Sequence, residues 1–349
     1  MIFLKRFYIA AVFLPAFLLL SGAAYSQGTD TAVNYLDAVI RPSDALISQS
    51  WEYMSASSHS KNPKTIENKR LALVRSISDY LESVKKMKPF NSDDSLRQAA
   101  LKYLTILLNV TKQDYGKIVD MKEVAEESYD NFEAYILAQK KAHDKLEQSS
   151  VLFETAQKTF AAKYKIVLTF SESDLSKKIK KGSDAIDYYN KIHLILFKPL
   201  KQEAYLLQAK ESGDIGKIEQ NRKTLSKNAA DGVKLLSKEK KYDGDDSLIE
   251  ICSRLLDFYK TEADEKAPAF IDYLMKNEAF EKTKKAFDSA GESEKTREAV
   301  DRYNEKVKEL NAAVNKSNSI VKELNDKRSD LIDEWNEGMG KFFDKHVPN

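Results

Sequence analysis

Apolar residues recur in steps of three and four along most of this chain. One run passes from Tyr129 through Phe132, Ile136, Gln139, His143, Leu146, Ser150, Phe153 and Gln157 to Phe160. A second uses Tyr303, Val307, Leu310, Val314, Ser317, Val321, Leu324, Leu331 and Trp335. Steps of this kind form the seam of antiparallel helical bundles. Helices are predicted at about 31–58 with a kink at Pro42, and at 65–88, 95–117 and 121–163. A further four are predicted at about 183–211, 215–240, 246–290 and 292–343. "YKIVLTFSES" at 164–173 is rich in β-formers and predicts an extended junction. The fold class is therefore all-α: two tandem, related bundles of about four long helices each, with an elongated outline.

The two halves echo one another. "TIENKR" at 65–70 matches "KIEQNR" at 217–222, and "KPFNSDDSL" at 88–96 matches "KKYDGDDSL" at 240–248, both at an offset of 152 residues. Independent helix-start signals would not fix one offset. The expected division is a leader over 1–26, one bundle over 27–167, and a diverged second bundle over 168–349.

The N-terminus sets the compartment. Lys5 and Arg6 precede an apolar run from Phe7 to Leu20, followed by "SGAAYSQ". This is the pattern of a secretory signal peptide, with cleavage expected before Gln27. The mature chain is then periplasmic, surface-located or secreted, with no transmembrane span. The single cysteine, Cys252, excludes an internal disulfide. Lys and Arg total 56 against 54 Asp and Glu, intermixed at short range. Without a basic block, nucleic acid is not an expected partner.

Candidate chemistry gathers in "DYGKIVDMKEVAEESYDNFEAYILAQKKAH" at 114–143. Glu126, Tyr129 and Glu133 share a helical stripe with Asp130 beside it. Carboxylates so spaced could hold a cation through oxygen ligands, or could simply be a solvated face. Tyr115 and His143 complete the candidate ligand-binding set. No catalytic constellation, metal site or cofactor motif is expected. Asp94-Ser95-Leu96 and Asp246-Ser247-Leu248 read as helix caps.

The stretches "YMSASSHSK" at 53–61, "IENKRLALVRSI" at 66–77, "FNSDDSLRQAALKYL" at 90–104 and "DYGKIVDMKEVAEESYDNFEAYILAQ" at 114–139 resemble an uncharacterised, leptospiral-type family of bacterial surface proteins. "FAAKYKI" at 160–166 resembles the end of that family's unit. The resemblance covers roughly residues 31–166 and is looser in the second half, which lacks the Tyr/carboxylate stripe. It implies export and a surface location, and it supplies no activity, substrate or catalytic residue. The resulting expectation is a non-enzymatic interaction or scaffold protein with an unknown protein or envelope partner. A small-ligand or cation-binding protein using the first bundle is the alternative. Intact-mass measurement on protein from the native host should give a chain beginning at Gln27; a mass that retains Met1 would contradict the leader assignment.

Overall fold

The computed structural model describes residues 18–22, 30–41, 43–60, 62–125 and 127–347. The class is all-α, and the only strands among the described residues are two of five residues each. The signal-peptide assignment falls mostly outside the described residues. Leu18–Gly22 is the exception: this strand (β1) pairs antiparallel with β2, Leu168–Glu172, in the junction expected to be extended.

The first helix is two helices, α1 (Asp30–Ile40) and α2 (Ser43–His59). Pro42 lacks the N–H that would reach the Ala38 carbonyl, so the ladder stops and the last carbonyls of α1 need other donors. Ser43 Oγ donates to the Ile40 carbonyl, and the buried Tyr80 hydroxyl donates to that of Val39. Tyr80 lies on α3 (Pro63–Lys86), which starts with Asn62 Oδ1 accepting from the Lys64 amide at 3.0 Å.

A tight turn follows. Phe90 and Asp93 exchange backbone hydrogen bonds, and Asn91 and Ser92 both take positive φ, 46° and 65°. Asp93 Oδ1 accepts from the amide and hydroxyl of Ser95 and so caps α4 (Ser95–Asn109). Asp94 occupies the N-cap position, and the side-chain hydrogen bonds come from Asp93 before it. A π turn, Val110–Asp114, leads into α5 (Tyr115–Ala125). The helix expected to begin at 121 begins at Tyr129 instead. The Ser128 hydroxyl accepts from the Asn131 amide, and α6 runs Tyr129–Lys163.

After β2 come α7 (Asp174–Ser212), α8 (Ile215–Leu236) and α9 (Ser247–Thr261). A second π turn, Glu262–Lys266, precedes α10 (Pro268–Ser289), and α11 spans Arg297–His346. Several features recur 152 residues apart. They are the starts of α3 and α8, the starts of α4 and α9, the two π turns, and the tight turns at Phe90–Asp93 and Tyr242–Asp245.

The described residues form two compact units, 191–339 and 5–190 with 340–349. The division therefore falls within α7 and within α11, not at the expected 167/168. The reason is packing: the first half of α7 belongs to the earlier unit. There Tyr189 meets Phe343 edge-on at 5.2 Å, and Gly182 faces Met54 and Trp51. In the unit built on 5–190, α4 and α6 stack Tyr103 on Phe153 at 5.3 Å around Leu104 and Leu146, both fully buried. Tyr35, Phe90, Phe160 and Tyr164 close one end of this core with centroids 4.6–5.8 Å apart. In the unit 191–339, Leu225, Leu255, Leu256 and Trp335 are buried. Each such side chain contributes about 1.5–3 kcal/mol of burial. Among the described residues, no helix is long and apolar enough to cross a membrane.

Two glycines of α11 probe the packing. A Cβ at Gly338 would meet Ile251 Cδ1 at 2.2 Å, whereas one at Gly340 would meet nothing within 4 Å. Gly338→Ala should destabilise by about 1 kcal/mol, overpacking outweighing the gain in helix propensity. Gly340→Ala should stabilise by about 0.5–1 kcal/mol from propensity alone. Urea unfolding of both variants checks this, and shifts of the same sign would contradict it.

Candidate functional site

The Tyr/carboxylate stripe sits at the start of α6 because Ser128 caps it there. Asp130 and Glu133 are exposed, and Tyr129 is half-buried. Burial raises the Tyr129 hydroxyl above its ordinary range, and the charges of Glu133 and Asp130 add to the shift. Carboxylates here also complement the positive end of the helix dipole. Glu126 lies outside the described residues.

The remaining candidates lie elsewhere. Tyr115 is fully buried where α5 leaves the π turn, its amide donating to the Val110 carbonyl. Its neighbour Asp114 pairs with Lys145 Nζ at 2.8 Å. Lys145 is about 18 Å along α6 from Glu133 at 1.5 Å per residue. His143 is about 15 Å from Glu133 by the same rise. The five candidates among the described residues therefore do not converge on one place.

His143 borders the core rather than lying in it. The buried row is Phe132, Tyr135, Gln139, Ala142, Leu146, Ser149 and Phe153, so Tyr135, Ala142 and Ser149 replace Ile136, His143 and Ser150 of the expected seam. Small side chains at 142 and 149 fill the seam without enclosing a polar ring. On α7, Asp184 and Asp187 lie within the electrostatic reach of His143; burial raises both carboxyls, and His143 opposes the rise. Gln139 is buried and accepts from Asn190 Nδ2 at 3.3 Å. Among the described residues, no group of three or more His, Cys, Asp or Glu is arranged to hold a metal ion.

The most enclosed charge lies in the unit 191–339 and was missed in the sequence. Arg328 of α11 is 6 % exposed, Glu203 of α7 4 %, and Glu262 of the second π turn 1 %. Arg328 Nε donates to Glu203 Oε1 at 2.5 Å and Nη2 to Glu262 Oε1 at 2.7 Å. Its Nη1 donates to Asn325 Oδ1 at 2.7 Å, and its guanidinium lies 5.6 Å from the Phe258 ring. The Glu262 Oε2 and Tyr259 hydroxyl atoms are buried without a hydrogen-bond partner. Burial and then the neighbouring Glu262 charge push the Glu203 carboxyl well above its ordinary range, against the pull of Arg328. Half-buried Lys210 stands over the Phe270 ring at 3.8 Å, its ammonium lowered by burial.

One signal did mark this cluster. The apolar row of α11 jumps from Leu324 to Leu331, and the skipped seam position is Arg328. A charge in a seam needs a buried partner. The partners are over sixty residues away in sequence, beyond the reach of local spacing.

Searches of protein-family models, curated proteins and solved structures gave no match to this chain.

Removing one member of a buried ionic group leaves uncompensated charge. Arg328→Met should therefore cost about 3–5 kcal/mol in unfolding free energy. Replacing Arg328, Glu203 and Glu262 together by Met, Leu and Leu should recover most of that loss. Denaturant titration of the two variants distinguishes this from simple cavity effects, which would make the triple variant the less stable.

Proposed function

We propose that the chain is an exported, non-enzymatic interaction or scaffold protein of the bacterial envelope or cell surface, built from two related helical bundles in tandem. The recurrence of helix starts, tight turns and π turns at one separation supports the relatedness. The leader pattern supports export.

One observation carries the interaction reading. From Ile271 to Ala312, across the end of α10 and the start of α11, no side chain is buried. The two helices meet through Phe280, Phe287 and Tyr303, with ring centroids 4.9 and 5.7 Å apart. Met275 is 58 % and Val300 37 % exposed on this arm. The matching helix before the break in the first half, α5, ends at Ala125, whereas α10 continues to Ser289. An arm lengthened without gaining a core adds surface rather than stability. That suits contact with another macromolecule.

Photo-crosslinking amino acids placed at Met275 and Val300 in living cells test this reading. A covalent adduct of one defined mass is expected from both positions, and none from exposed Lys227 in α8. Met275→Glu with Val300→Glu should abolish the adduct reported from a third arm position, Asp288, and change stability by less than about 0.5 kcal/mol. Arm positions that yield no adduct would count against the reading.

A further inference from the structure

The Glu203–Glu262–Arg328 cluster has a charge count that does not balance. Arg328 commits Nε to one carboxyl, Nη2 to the other and Nη1 to the Asn325 amide. One guanidinium thus faces two enclosed carboxyl groups. The carboxyls also lie within hydrogen-bonding reach of each other. Two ionised carboxylates that close, away from water, repel strongly. Two carboxyls sharing a proton attract instead, through a short charge-assisted O–H···O⁻ bond.

We propose that Glu203 and Glu262 form a buried proton-binding site, holding one proton between them in the folded protein at neutral pH. The proton comes from solvent and binds a carboxylate oxygen; no other bond changes. The pair then carries one negative charge, which Arg328 neutralises. The proton also supplies a donor inside a cluster where Glu262 Oε2 has none from nitrogen or hydroxyl.

The surrounding charges do not displace this balance. Tyr259 of α9 faces the cluster with its hydroxyl raised, chiefly by burial and then by the two glutamates, so it stays neutral. Lys210 of α7 is half-buried and reaches Glu262 only electrostatically. Lys266 of the π turn is held by Glu323 of α11 at 2.8 Å, and Lys260 of α9 by Asp264 at 2.8 Å. Arg222 of α8 is committed to Glu219 at 2.6 Å.

The consequence is a dependence of stability on pH with a definite sign. The proton is bound more tightly in the folded state, so its stabilisation is complete below the ordinary glutamate value of 4.5 and is lost as pH rises toward the raised value of Glu203. Across that span unfolding releases one proton, and the unfolding constant rises about tenfold per pH unit. His193 in the same unit works the other way: burial lowers it from 6.5 to about 4, so its contribution is present above 6.5 and lost as pH falls toward 4. The two slopes offset below 6.5, leaving the carboxyl pair visible above it. Cys252, raised by burial from 9.0 to about 12, adds a further loss only above pH 9.

The test is urea unfolding of the full chain between about pH 6.5 and 8.5, comparing wild type with Glu203→Gln. A wild-type unfolding constant that rises more steeply with pH than that of Glu203→Gln, by up to about tenfold per pH unit, is expected. Equal slopes would overturn the proposal. Infrared spectra of wild type supply a readout that stands even if the variant fails to fold. A carboxylic-acid carbonyl stretch should be present at pH 7, shift in deuterated water and vanish in one step on alkaline titration. Absence of that band at pH 7 would overturn the proposal. So would stabilisation by sodium or potassium at fixed ionic strength, since a bound cation would then occupy the place of the proton.

Discussion

A π turn inside a helix has to be held from outside. Widening one turn by a residue leaves carbonyls and side chains off the regular ladder and rotates everything that follows. Both π turns among the described residues are met by an arginine from another helix. At Val110–Asp114 it is Arg70 of α3, whose Nη1 donates to the carbonyls of Thr111 and Lys112 at 2.9 and 3.3 Å. Glu67, one turn earlier, holds the same guanidinium through Nε and Nη2. At Glu262–Lys266 it is Arg328 of α11, which takes the side chain of the first π residue.

The two junctions differ in what they enclose. Arg70 spends its charge on one carboxylate, Glu67, 38 % exposed at its side chain, and on neutral carbonyls. Water reaches the Glu67 side of that pair, so Glu67 keeps its charge without further balancing. Arg328 spends its charge on two carboxyls that water scarcely reaches. Enclosed ions are costly unless they are balanced. The same local device therefore gives a structural clasp in one unit and a titratable site in the other. Position 110 in the first half is Val, where the second half has Glu262.

Helix positions were legible in the sequence wherever breakers and caps agreed with periodicity. The starts expected at 65, 215, 95 and 246 lie within two residues of those of α3, α8, α4 and α9. Two kinds of feature escaped. Heptad counting placed His143 in the seam, but three-and-four spacing cannot choose between adjacent residues such as Ala142 and His143. The π turns carry no composition signal: "VTKQD" and "EADEK" continue the helical pattern. The candidate stripe was legible only in part, because local spacing gave Tyr129, Asp130 and Glu133 a common turn yet could not place Tyr115. The buried cluster unites Glu203, Glu262 and Arg328 across three helical segments. Its trace was the polar interruption in an apolar seam.

The most direct measurement is native-state hydrogen exchange at the amides that close the π turns. Tyr115 donates to the Val110 carbonyl and Ala267 to that of Glu262. If the arginines hold these turns as fixed parts of the core, both amides should be protected to the level of neighbouring α4 and α9. Exchange as fast as at an exposed helix end would show that the turns open independently, and would contradict the account.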